Sequence, residues 1–256
     1  MHKMINRLFS EKYANQAAVR GNFVLLLMYR FAYPFAVLLN KLHLSPNQIT
    51  TQSLVFSVLA FIALVYDDGW VLFSIFWGMT VLLDFCDGTV ARMTDRVSKT
   101  SFRYDHMSDT FKIYLVVLGV GIRYNDMLFW VLSSTLAFSY AYSEILSHDL
   151  KNAVMKEQAA DSPAISAVNP IRKKRIREQF FVAGFFLKKF PLVANLLKEA
   201  WVNLYTALFG FNGHTLLLFF TFPIGGWVTK ITLIYLISLT VISSVSGINK
   251  LRHISR

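Results

Sequence analysis

Apolar runs long enough to cross a bilayer recur along this chain, and they exclude most folds before any motif is considered. A spanning helix needs about 20 predominantly apolar residues. Segments 47–66, 69–94, 101–122, 126–148, 203–222 and 227–249 each reach about that length. Backbone groups in hydrocarbon must find partners within the protein, so runs of this kind form helices. Composition agrees, with 55% of residues hydrophobic and only 16% charged, against roughly 25% charged in a soluble domain. The predicted fold is an all-α integral membrane protein with six transmembrane helices, an N-terminal interfacial helix and a cytoplasmic insertion.

Turn chemistry separates the runs. Tyr66-Asp67-Asp68-Gly69 and Arg123-Tyr124-Asn125-Asp126 read as tight turns, and Pro223 with Gly225-Gly226 parts the last two helices. The stretch 22–42 is also long and apolar, but it carries Arg30 and Pro34. A charge at the bilayer centre costs at least about 2.5–3.5 kcal/mol. Lying in the interface would also keep Lys3, Arg7, Lys12 and Arg20 on one side with the start of the next helix. We therefore read 22–42 as interfacial.

The formal net charge of +11 is distributed asymmetrically. Lys and Arg crowd the N-terminal region, the 94–100 link, the 149–202 insertion and the tail, whereas in the links on the other side Arg123 is the only base. Cytoplasmic loops carry this excess, so both termini and the insertion are expected in the cytoplasm, with the protein in the inner or plasma membrane. The basic residues flank membrane segments, which argues for a lipid surface and against nucleic acid. Four regions follow: 1–46, cytoplasmic and interfacial; 47–148, helices one to four; 149–202, a basic insertion; and 203–256, the last two helices and basic tail. Cys86 is the only cysteine, which excludes an intramolecular disulfide and a cysteine-based metal site.

The chemistry concentrates in LLDFCDGTVARMTDRVSKTSFRYDHMSD. Asp84 and Asp87 are three apart and share a helix face, and Asp105 and Asp109, four apart, share a face on the next helix. The link between them lets the two faces converge. Four carboxylates brought together repel one another unless cations sit among them. Oxygen-only ligands suit Mg²⁺ or Mn²⁺, and two such ions suit displacement at phosphorus. Gly88 and Ala91 beside the acids admit a bulky ligand or a neighbouring helix. Arg92 is placed to pair with phosphate oxygens, or to serve only as a helix-end cation.

This segment resembles the CDP-alcohol phosphotransferase family, whose pattern is D-x2-D-G-x2-A-R-x8-G-x3-D-x3-D. Asp84, Asp87, Gly88, Ala91, Arg92, Asp105 and Asp109 match, and Ser101 stands where the family has Gly. Ser45-Pro46-Asn47-Gln48-Ile49-Thr50 resembles the family's P-[ND]-x-x-T start of the first spanning helix, although polar residues at a helix start need no further reason. The resemblance is read over 47–148, extends to the last two helices by architecture only, and leaves the insertion outside it.

It implies transfer of a substituted phosphoryl group from a CDP-alcohol donor to a hydroxyl acceptor, lipid or small alcohol, with release of CMP. It further implies metal ligation by Asp84, Asp87, Asp105 and Asp109, with Asp109 also the general base, and donor contacts from Asn47, Thr50, Gly88, Arg92, Ser98 and Ser101. Asp105-His106-Met107-Ser108-Asp109 is similar to the D-H-x-x-D of choline and ethanolamine phosphotransferases. His106, Glu144 and His148 are candidate acceptor-site residues, or alternatively polar helix ends. Phosphatidyl transfer to a small alcohol stays open, as does a homodimer. Two other classes compete with this reading: a transporter, which would want charges at mid-depth, and a scaffold that retains an altered site, suggested by Ser101 and the insertion.

Overall fold

The computed structural model describes residues 10, 13–15, 19, 23–66, 70–96, 99–160 and 218–254. Six α-helices are described: α1 (Phe23–Lys41), α2 (Pro46–Tyr66), α3 (Val71–Met93), α4 (Lys99–Tyr124), α5 (Met127–Ala160) and α6 (Gly226–Ile254), with a 3₁₀ turn at Phe219–Ile224 before α6. Among the described residues, α2, α3 and Gly226–Arg252 are long and apolar enough to cross a membrane. The expected six spans are thus not all found among them. α4 is interrupted by Asp109, Lys112 and Arg123, and α5 is diluted by Ser133, Ser134, Thr135, Ser139 and Tyr140. The expected span 203–222 lies outside the described residues up to 217.

Helix α2 starts on a reciprocal cap. The Ser45 amide donates to Gln48 Oε1 at 2.8 Å and the Gln48 amide donates to Ser45 Oγ at 3.3 Å, with Pro46 at the first helical position, where its missing N–H costs nothing. Asn125, at φ 42°, makes the expected break between α4 and α5; a short polar side chain tolerates that left-handed conformation. α5 runs 12 residues beyond the expected end at 148, into the segment read as insertion. Residues 149–160, DLKNAVMKEQAA, are mostly strong helix formers without Gly or Pro, so nothing in them stops the helix.

α2 packs on α3 and α4, α1 on α3, and α5 on α4 and α6. In hydrocarbon, close packing and interhelical hydrogen bonds hold helices together, and small residues at contacts allow both. The buried stripe of α2 is Ile49, Thr50, Ser53, Ser57, Ala60, Ala63 and Leu64. Ser53 Oγ donates across to the Thr80 carbonyl of α3 at 2.9 Å. Gly119 of α4 meets the same stripe: a Cβ there would stand 2.9 Å from Leu64 Cδ2. Thr240 of α6 donates to Ser139 of α5 at 2.8 Å. Trp77 packs edge-on against Phe219 of the 3₁₀ turn at 5.4 Å. Outward faces keep large apolar side chains, as with Phe31, Phe35 and Leu38 on α1, Val55 and Ile62 on α2, and Ile231 and Val245 on α6.

Candidate active site

Four helix segments meet around the acids: the first turns of α2, the last third of α3, the first half of α4 and the Tyr140–His148 stretch of α5. Helix periodicity carries Asp84 and Asp87 on α3 and Asp105 and Asp109 on α4. One carboxylate oxygen from each of Asp84, Asp105 and Asp109 lies within 4.8 Å of the other two. The three side chains are partly accessible, so an ion can reach them. Asp87 faces α2 instead and is buried, and Thr50 Oγ1 donates to its Oδ2 at 2.6 Å. Its charge still lies beside Asp105 and Asp84. The Thr50 hydroxyl also lies 3.1 Å from the Pro46 carbonyl, within its own helix. Thr50 thus meets the acidic site through Asp87, whereas Asn47 is exposed and its carbonyl accepts from Thr51 Oγ1.

The site contains a cation that the motif does not include. Lys112, 1% exposed, donates from Nζ to Asp84 Oδ1 at 2.6 Å and to Asp109 Oδ1 at 2.9 Å. It tethers α3 to α4 and supplies one of the positive charges that clustered carboxylates require. A signal for it was present: a lysine at the start of an apolar run, one turn after an aspartate, calls for an acidic partner.

Arg92 and Gly88 form a second feature on α3. A Cβ on Gly88 would stand 3.3 Å from Arg92 Nη1 and 3.4 Å from Nη2, so the glycine lets the guanidinium lie against the helix. Arg92 Nε donates to the Tyr13 carbonyl, and the guanidinium carbon lies 5.3 Å from the centre of the Tyr29 ring. Nη2 is buried and has no hydrogen-bond partner among the described residues. A buried charged donor left unpaired is costly, and a phosphate oxygen would satisfy it. Ser98 lies outside the described residues; Ser101 falls in α4 with its side chain outside them.

His106, Glu144 and His148 line one cavity of about 590 Å³ between α4 and α5. His106 Nδ1 and Glu144 Oε2 are 3.0 Å apart. His148 Nδ1 lies 3.1 Å from Asn152 Nδ2. The rest of the lining is largely apolar, with Phe111, Ile113, Tyr114 and Ile145 among it. The buried Tyr140 lies beside Glu144 and on the same side as Asp109 and Asp84, so the polar end of the cavity borders the acids.

The carboxylates of the site offer only oxygen ligands, and they lie at one end of a bundle of apolar helices. An oxygen donor set of this kind fits Mg²⁺ or Mn²⁺. Asp84, Asp105 and Asp109 converge closely enough to hold a divalent cation, and an ammonium is bonded to two of them. Fold and site together define a helical membrane protein equipped to handle a phosphate-bearing substrate.

The sequence model for CDP-alcohol phosphatidyltransferase matches residues 43–197, more than half of the chain, and the protein belongs to that family. Its members are transferases of phosphoryl-alcohol groups in lipid synthesis, and divalent metal use is known among them. The match extends to 197 and so takes in most of the insertion, which had been read as outside the resemblance. No curated protein matches the chain.

Proposed function

We propose that this protein catalyses attack of an acceptor hydroxyl on the phosphorus that carries the alcohol in a CDP-alcohol, forming the new O–P bond and releasing CMP. The observation that carries the reading is the meeting of the Asp84, Asp105 and Asp109 oxygens within 4.8 Å. Asp84, Asp87 and Asp105 act mainly as ligands, with Asp109 close to them. Two bound Mg²⁺ or Mn²⁺ ions would neutralise the diphosphate and the departing CMP. Asp109 accepts the acceptor's proton as the bond forms. Arg92 Nη2, without a partner among the described residues, takes a phosphate oxygen of the donor over Gly88, and Ser98 and Ser101 contact the nucleotide. Thr50 acts on the site by orienting Asp87.

The cavity favours the choline/ethanolamine-like subclass with a lipid acceptor. Its apolar walls suit acyl chains, and its polar end, with His106, Glu144 and His148, suits the hydroxyl-bearing end beside Asp109. Phosphatidyl transfer to a small alcohol would use the same walls for the donor's chains. We further propose six spans, with α4 and α5 crossing the membrane and turning their charges inward, α1 interfacial, and both termini in the cytoplasm.

Purified protein incubated with Mg²⁺ or Mn²⁺ and a panel of CDP-alcohols, with and without diacylglycerol, tests the reaction through CMP release. CMP released from CDP-choline or CDP-ethanolamine only when diacylglycerol is present supports the subclass. Release only from CDP-diacylglycerol with a small alcohol moves the protein to the other subclass. Donor binding without release from any member of the panel would favour the altered scaffold.

A further inference from the structure

We propose that Lys112 is a placeholder cation: its ammonium is bonded to Asp84 and Asp109, two of the acids that would hold a divalent ion, and it competes with that ion for their oxygens. The proposal rests on the metal reading of the acidic site given above. Lys112 stands one turn beyond Asp109 on α4, and its side chain is 1% exposed. Its Nζ lies 2.6 Å from Asp84 Oδ1 and 2.9 Å from Asp109 Oδ1. Those two acids belong to the three whose oxygens converge within 4.8 Å.

An ion of this kind binds oxygens at about 2.0–2.1 Å. The ammonium uses lone pairs of the same carboxylates from the space between them, so an ion and the nitrogen cannot both hold it. The arrangement has a use before any ion arrives. Three carboxylates this close repel one another, and the ammonium keeps them convergent while tying α3 to α4. The site is then already assembled when the ion comes, and the lysine weakens ion binding by the bonds that must be given up.

Three roles for this lysine predict different signs. If it were only a strut between helices, its removal would loosen the site and weaken ion binding. If it only met the donor's phosphates, its removal would leave ion binding without nucleotide unchanged. A placeholder predicts tighter binding, because a competing charge within about 3 Å of the ligand oxygens is gone.

The test is Mn²⁺ titration of detergent-purified protein without nucleotide, with free Mn²⁺ followed by electron paramagnetic resonance. Wild type is compared with Lys112→Met, which removes charge and donors, and Lys112→Gln, which keeps a donor without charge. Both variants are purified with Mn²⁺ and then stripped by chelation. We expect the Mn²⁺ Kd to fall by about tenfold or more in both. We also expect the rise in Tm on adding Mn²⁺ to be larger for Lys112→Met than for wild type; a Met variant that stays folded only with Mn²⁺ is the extreme of that result. A Kd that is unchanged or higher in both variants overturns the placeholder while leaving the metal site intact. A flat titration for wild type and both variants overturns the metal reading and this proposal with it.

Discussion

Replacing Thr50 by valine removes one hydroxyl from the site and leaves its shape. Thr50 Oγ1 has one proton to give, and the short contact to Asp87 Oδ2, 2.6 Å against 3.1 Å to the Pro46 carbonyl, marks the carboxylate as its acceptor. Both side chains are buried, at 3% and 5% exposure, so water does not replace the lost bond. A hydrogen bond to a charged group contributes about 1.5–3 kcal/mol. At 1.4 kcal/mol per factor of ten, the full loss would be about 10–150-fold in any equilibrium that needs Asp87 charged and aimed. A bound ion recovers part of it, so the lower end applies: the Mn²⁺ concentration that half-activates Thr50→Val should rise by about tenfold. Thr50→Ser restores the donor and should return close to wild type. The assay is CMP release against Mn²⁺ concentration in detergent, with circular dichroism to establish that the helices persist. Half-activation within about twofold of wild type in a folded Thr50→Val would refute the idea that this bond prepares Asp87 for the ion.

Asp109→Asn should lower turnover by about 10²–10⁴-fold while calorimetric binding of metal and CDP-alcohol falls much less, whereas Asp87→Asn should lose binding and turnover together. Ser101→Gly should retain or raise CMP release, and a loss beyond about tenfold, roughly 1.4 kcal/mol of activation free energy, would mean that the serine makes a needed contact. Gly119→Ala places a methyl 2.9 Å from Leu64 Cδ2 and 3.2 Å from Phe61 Cδ2; overpacking of this kind costs about 1–3 kcal/mol and should appear as a lower Tm in detergent. Cysteines placed at Asp68 and Asn125 should react with an impermeant reagent from outside while one at Ser162 is protected, and Cys86, being buried, leaves the background low; the reverse pattern would invert the proposed topology.

What was legible in the sequence was periodic. Spacings of three and four put Asp84 with Asp87 and Asp105 with Asp109, and apolar length marked α2, α3 and α6 to within a few residues. Partners across helices were not legible, because they depend on rotation and depth that no local pattern encodes. The hydrogen bond from Thr50 to Asp87 is one such partner. Glu144 and His148, four apart, share a face of α5, but that His106 of α4 meets them in one cavity depends on the packing of α4 on α5. The end of α5 was misplaced for a different reason: polarity marks the end of a span, not the end of a helix, and residues 149–160 are polar and still strongly helix-forming.

The small residues of α2 and α4 join packing to chemistry. Ser53, Ser57 and Ala60 lie in the buried stripe of α2, where Ser53 bonds to α3, and Gly119 lets α4 lie close to α2. That spacing brings Thr50 within bonding distance of Asp87 and lets Lys112 reach from α4 to Asp84. Hydrogen bonds of 2.6 Å have little room to lengthen before they weaken. A bulkier residue on these faces should therefore disturb the acidic site as well as the fold. The effect of Gly119→Ala on Mn²⁺ half-activation, set beside its effect on Tm, measures how rigidly the two are coupled. If Tm falls while half-activation stays at the wild-type value, the helix ends hold the site independently of the packing below it.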